Sequence, residues 1–287
     1  VVDSRRCGKA LCHDVQVTCG GIPVRKARIR EREVAEPRGA VIFATGVYGV
    51  EEYDDEPERK KTLETMIAAG YETFEIQWGG GRQGWGAGAE GAGFEAAMCG
   101  YAAIVRWIAA ERAGRPQVVC AQGNSGAAQQ IAYGLTTYGL GDVLDLAVLS
   151  GGPPITDIVE LCFAPTRLPR DKLWRQNGRR IADEMMGWEG KGDYCKKAEG
   201  TADAVAAARR DSLVPPQEGR VYDFPATRVF FVESERDKSA PQGKLFHDAI
   251  TSHKVWETVP GNEHGVDRTL PGAARIREIL LGECREP

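Results

Sequence analysis

Histidine is scarce in this chain, four among 287 residues, and no two cysteines form a Cys-x-x-Cys pair. A structural zinc cluster draws its ligands from closely spaced Cys and His pairs, so no metal site is expected. Neither sign of charge is in excess: 37 Lys and Arg stand against 41 Asp and Glu, for a formal net charge of −4. That balance offers no basic stripe to a nucleic acid, and no such partner is expected. No stretch approaches the roughly 20 apolar residues of a membrane helix, so no membrane span is expected. Internal repeats and low-complexity linkers are also missing, which excludes solenoid and fibrous architectures. What remains is an ordinary globular mixture, 42% hydrophobic and 27% charged. The chain is long enough to bury a sizeable core in one large domain or two ordinary ones.

Cysteine is not scarce. Eight are scattered along the chain: Cys7, Cys12, Cys19, Cys99, Cys120, Cys162, Cys195 and Cys284. The even count points to disulfides and to a secreted or periplasmic location. A start at Val1 suits a removed signal peptide and simple trimming equally. The competing expectation is reduced thiols packed as small apolar groups, and Cys99 and Cys120, in a helix and a buried strand, fit that best. Cys162 and Cys195 share one Gly- and Pro-rich region and are the best candidates for a bridge. Spacing leaves the remaining pairing open.

The hydrophobic pattern alternates between strand and helix. Residues 13–34 read as two strands about the Gly20-Gly21 turn, and 40–44 as a strand buried on both faces. A helix is expected over 57–69, ended by Gly70, and a strand over 71–78. After a glycine-rich stretch at 79–93 come a helix at 94–113, a strand at 117–121, a helix at 126–138 and a strand at 143–149. The alternation resumes with strands at 228–233 and 253–259 and helices at 243–250 and 273–281. This order predicts an α/β fold, a mostly parallel sheet with helices on both faces and an antiparallel hairpin at one edge. Residues 152–225 are too long for a plain loop. They are expected to form a helical cap or lid inserted into a core built from 1–151 and 226–287.

The most informative segment is Val118-Val119-Cys120-Ala121-Gln122-Gly123-Asn124-Ser125-Gly126-Ala127-Ala128. It reads as a strand, then Gly-x-Ser-x-Ala, then a helix, the context a nucleophile elbow requires. A serine on so sharp a turn projects its hydroxyl above the sheet edge, and its neighbours two positions away must be tiny. Gly123 and Ala127 meet that need. The bland counterpart is a serine that merely caps the helix. The Gly126 N–H, at the helix start, has no intrahelical acceptor and is free to bind an oxyanion.

A serine hydroxyl needs a general base. Of His13, His247, His253 and His264, the last lies in Pro260-Gly261-Asn262-Glu263-His264-Gly265-Val266, a loop between the final strand and helix. The imidazole in turn needs an acid to orient it. Asp237, just past the strand at 228–233, is the candidate, with Glu233 and Glu235 competing. The second oxyanion donor is expected from Thr45-Gly46-Val47, with the Val47 N–H preferred to that of Gly46. Tyr48 beside it is a candidate to line the substrate pocket.

On these residues the chain resembles the α/β-hydrolase superfamily, from about residue 13 to 284. The elbow 123–127, Asp237, His264 and the 45–47 loop carry the resemblance, in the Ser…Asp…His order of that family. It implies an eight-stranded, mostly parallel sheet, hydrolysis of esters or related acyl bonds, and no cofactor. The implied substrate is a small or medium ester, and oligomeric state is left open. Ala127 replaces the commoner glycine, and no His-Gly-Gly-Gly loop is present, so the subfamily does not follow. Peptidase, thioesterase and acyltransferase activities would use the same triad. Two rivals remain. Gly86-Ala87-Gly88-Ala89-Glu90-Gly91 matches a dinucleotide fingerprint, but no strand ends just before it and no acid follows at the required distance. A non-catalytic binding module on the same scaffold is the other.

Overall fold

The computed structural model describes residues 1–46, 48–111, 118–164, 172–197 and 200–285, with the side chains of 81–83 and 172–174 outside the description. One sheet contains nine strands: β1 (Asp3–Cys7), β2 (Ala10–Cys19), β3 (Ile22–Arg32), β4 (Gly39–Ala44), β5 (Tyr71–Trp78), β6 (Val119–Asn124), β7 (Leu146–Ser150), β8 (Arg228–Ser234) and β9 (Lys254–Val259). Their spatial order is β1-β2-β3-β5-β4-β6-β7-β8-β9. The six strands from β5 to β9 in that order run parallel. β1, β2 and β3 make the antiparallel edge. The strand beyond the expected eight is β1. Its sequence, Asp-Ser-Arg-Arg-Cys, is almost wholly exposed. With no buried face it has no hydrophobic period to read, and its charges guard an open sheet edge.

The central strands alternate between two cores. Ala40, Ile42 and Ala44 of β4 point into one, Val41 and Phe43 into the other. β7 and β8 do the same, with Leu149 and Phe231 on the first side and Val148 and Phe230 on the second. This period of two explains their unbroken apolar runs: both faces are covered. Helices α1 (Pro57–Ala68) and α9 (Leu270–Glu283) close the second core through Leu63, Met66, Ile276 and Leu280. Helices α2 (Gly93–Glu111), α3 (Gly126–Thr136) and α8 (Ala240–Ala249) close the first.

Between β7 and β8 the described residues form four helices, α4 (Ile158–Cys162), α5 (Lys172–Met185), α6 (Tyr194–Lys197) and α7 (Ala202–Asp211). Phe163 and Tyr194 flank Trp188 with ring centroids 5.8 and 5.9 Å away, and Trp188 belongs to the first core, against which the other two pack. Asp211, ending α7, accepts from the Phe94 and Glu95 N–H groups at the start of α2, at 2.6 and 3.1 Å, and ties the segment to the main body.

All eight cysteines are bridged, as Cys7–Cys12, Cys19–Cys99, Cys120–Cys284 and Cys162–Cys195. The Cys162–Cys195 bridge is the one expected. Cys99 and Cys120 correct the reduced-thiol alternative. Cys120 is fully buried and Cys99 half-buried, but the fold brings each against a cysteine 164 or 80 residues away, a proximity no local pattern reveals. Among the described residues no helix is long and apolar enough to cross a membrane.

Candidate active site

Ser125 stands between β6 and α3 with φ 55° and ψ −113°. Such backbone is strained for a residue with a side chain and persists only where its surroundings enforce it. The enforcement is visible. The Ser125 N–H donates to the Ser150 carbonyl at 2.8 Å, and the Ser125 carbonyl accepts from Gln129 N–H at 2.9 Å. A Cβ added to Gly123 would lie 2.8 Å from that of Ala127, closer than carbon atoms approach, so the strand and helix meet only because residue 123 is bare. The Ser125 hydroxyl makes no bond to the helix it precedes, which removes the capping explanation.

The hydroxyl instead faces His264, with Oγ 2.7 Å from Nε2. On the other side of the ring, Nδ1 lies 2.8 Å from Asp237 Oδ2. An ionised carboxylate can only accept, so Nδ1 carries the proton and Nε2 is left to accept from the serine. Ser239 completes the group. Its N–H and hydroxyl both donate to Asp237 Oδ1 at 2.8 Å, and its Oγ lies 3.0 Å from His264 Nδ1. Burial pushes the Asp237 carboxyl up, but the bonds from His264 and Ser239 outweigh it and hold the group below the usual carboxylate range.

Three contacts fix the loops that bring these side chains together. The Ser234 hydroxyl, at the end of β8, donates to the Glu263 carbonyl at 2.7 Å. Gly151, at the end of β7, lets the His264 carbonyl approach so closely that a Cβ there would sit 2.3 Å from the oxygen. Downstream, Asp267 forms a buried two-point bond with Arg59 of α1, at 2.7 and 3.3 Å.

Of the competing acids, Glu235 is exposed. Glu233 is fully buried, but its Oε1 accepts from the Gly152 N–H at 2.7 Å and the histidine bonds Asp237. Gly126 is the first residue of α3, with its N–H beside Ser125. Val47 lies outside the described residues. Gly46 is within them, and a Cβ built on it would be 3.1 Å from Ser125 Cβ, so that loop abuts the serine. Tyr48 is buried, and its hydroxyl donates to Glu184 of α5 at 2.8 Å. Burial and that carboxylate push the phenol up to about 12. The other histidines are elsewhere: His13 bonds Ser4 and Glu31, His247 packs on Phe231 and Trp256, and His253 lies near Phe230. The glycine-rich 86–91 stretch is a turn region between β5 and α2 rather than a strand-to-helix phosphate loop.

The sequence reading missed Ser239, Glu233 in its bond to Gly152, and the Arg59–Asp267 pair. Ser239 had a signal: an Asp followed two residues later by Ser is the pattern of a side chain closing its own turn. The others depend on long-range packing. Among the described residues one acidic group, Glu52, Asp54 and Asp55, is compact enough to hold a cation. Asp54 there is already bonded by Arg30 and Arg32.

No family sequence model matches the chain, and no curated protein matches it in sequence. Solved structures do match in shape. The mouse α/β-hydrolase domain-containing protein 10 superposes with a TM-score of 0.56 at 11% identity, covering 93% of this chain and 96% of its own. A thermostable carboxylesterase cloned from a metagenomic library gives 0.54 at 17% identity, covering 96% and 90%. An esterase of Pyrobaculum calidifontis gives 0.54 at 14%, covering 96% and 84%.

Proposed function

We propose that this chain, which has the α/β-hydrolase fold, is a serine hydrolase that cleaves carboxylic esters through an acyl-enzyme. The observation that carries this reading is the continuous hydrogen-bonded line from the strained Ser125 through His264 to Asp237. In the first step His264 Nε2 takes the Ser125 proton as Oγ attacks the ester carbonyl. Asp237 stabilises the imidazolium that results and keeps the ring in the required tautomer. The N–H groups of Gly126 and Val47 receive the negative charge on the carbonyl oxygen. His264 then hands its proton to the departing alcohol. Water, deprotonated by the same ring, releases the acid and regenerates the serine.

Esters are preferred to amides and thioesters because esterases recur among the structures of similar shape. Residues 152–225 act as a cap over a core formed by 1–151 and 226–287. The Tyr48–Glu184 bond supports this, joining the segment to the loop beside Ser125. A cap so placed suits small or medium substrates, with Tyr48 on the pocket wall. Four disulfides support a secreted or periplasmic location, where such bonds persist. The test is a panel of nitrophenyl esters, amides and thioesters with the wild type and Ser125→Ala. Ester turnover that disappears in the variant supports the reading. Faster cleavage of amides or thioesters than of esters, still dependent on Ser125, would reassign the substrate class.

A further inference from the structure

The turn leaving β7, Gly151-Gly152, is wedged between the two halves of the site. A Cβ built on Gly151 would lie 2.3 Å from the His264 carbonyl oxygen and 3.1 Å from Asn124 Oδ1. One on Gly152 would lie 3.5 Å from the Ser125 carbonyl oxygen. A side chain at one or other glycine would therefore meet the residue before the serine, the serine itself and the histidine. Two bonds from β8 hold it: Gly151 N–H donates to the Val232 carbonyl at 3.1 Å, and Gly152 N–H to Glu233 Oε1 at 2.7 Å. Gly243 of α8 closes over the second bond, its Cβ position 3.3 Å from both Glu233 Oε1 and the Gly152 carbonyl. The other oxygen, Glu233 Oε2, is buried without a hydrogen-bond partner among the described residues. An ionised carboxylate half-bonded in so dry a place is costly. Burial first, and then the negative charge of Asp237, push this carboxyl well above its ordinary range.

We infer that Glu233 is a positioning residue: a buried acceptor that clamps the Gly151-Gly152 turn and so keeps the Ser125 and His264 loops in register. The inference rests on the proposed roles of Ser125 and His264. It predicts that the acceptor oxygen matters and the acidity does not. Glu233→Gln keeps the acceptor, Glu233→Asp keeps the acid but draws the oxygen away from Gly152, and Glu233→Ala removes both.

The experiment measures kcat and KM on a nitrophenyl ester for the three variants, together with the far-downfield proton resonance of the His264 Nδ1–H. The clamp predicts that Gln stays within about threefold of wild-type kcat, since its amide oxygen keeps the acceptor for the Gly152 N–H. Ala and Asp lose roughly tenfold or more in kcat with KM within about twofold, because misalignment acts on the chemical step. The resonance persists in Gln and broadens or shifts in Ala and Asp. Should Ala fail to fold, Asp and Gln still form the decisive pair. A Gln variant as slow as Asp, or an Asp variant with wild-type kcat and an unshifted resonance, overturns the clamp. Full ester turnover by Ser125→Ala would instead sink the parent reading, and the resonance would still report on the clamp.

Discussion

Ser125 holds a backbone conformation that a side chain resists, with its hydroxyl turned away from the helix and toward an imidazole. Replacing it with Ala removes the proposed nucleophile and should cost on the order of 10³-fold or more in kcat, measured on an activated ester. Asp237→Asn should be nearly as damaging, because an amide can present its NH₂ to Nδ1 and favour the wrong tautomer. Glu235→Gln, at an exposed side chain off the hydrogen-bonded line, should be close to neutral in the same assay. Glu233 gives a prediction about stability. Its carboxyl is raised in the folded protein, so as pH rises above about 4.5 the unfolded chain gives up this proton while the folded one keeps it. Folding stability from this residue therefore falls with rising pH until the folded group ionises, by at most about 1.4 kcal/mol per pH unit. Glu233→Gln removes that loss, so its melting temperature relative to wild type should climb between pH 5 and pH 8. A constant difference would mean that the carboxyl ionises normally in the fold. Asp237 nearby works in the opposite sense, its contribution present above the ordinary carboxylate range and lost on acidification.

The elbow is legible in the sequence because its constraint is local and steric. Two small residues flank a serine where an apolar strand meets a helix, and the coordinates put residues 123 and 127 in contact. Gly123→Val should destabilise by about 1–3 kcal/mol through overpacking, read as a lower midpoint in urea. The strand β8 was legible for a similar reason, since a strand covered on both faces is written as a continuous apolar run, here Val229-Phe230-Phe231-Val232. Elements without an apolar signature were not legible: β1 is exposed, and the partners of Glu233 and Asp267 come from elements distant in sequence. Tyr48 lies between the two cases. Its place beside the 45–47 loop could be read, but its bond to Glu184, 136 residues later, could not. Tyr48→Phe leaves that carboxylate without its hydroxyl donor and should cost about 1–3 kcal/mol. An unchanged melting temperature would show that water or Arg180, 3.3 Å from the same oxygen, takes its place.

At the scale of the molecule, two of the four disulfides, Cys19–Cys99 and Cys120–Cys284, tie a strand to a helical layer, and the spans of the four differ widely. Cys120–Cys284 joins the central strand β6 to the end of α9 across 164 residues, whereas Cys7–Cys12 spans five. In the chain-entropy account the first restrains the unfolded state by about 5 kcal/mol and the second by about 2 kcal/mol. Replacing the pair 120/284 with Ala should therefore lower the denaturation midpoint far more than replacing 7/12. Equal losses would show that native packing, rather than loop length, governs their contribution. That cysteines are bridged was readable from their number, but which ones meet was set by the fold. The catalytic proposal has a more direct test. Wild type and Ser125→Ala are incubated with a fluorophosphonate probe, and the labelled peptide is located by mass spectrometry. The account predicts one adduct, on Ser125, formed in step with the loss of ester turnover and absent from the variant. Labelling at another residue, or ester turnover that survives in the variant, would contradict it.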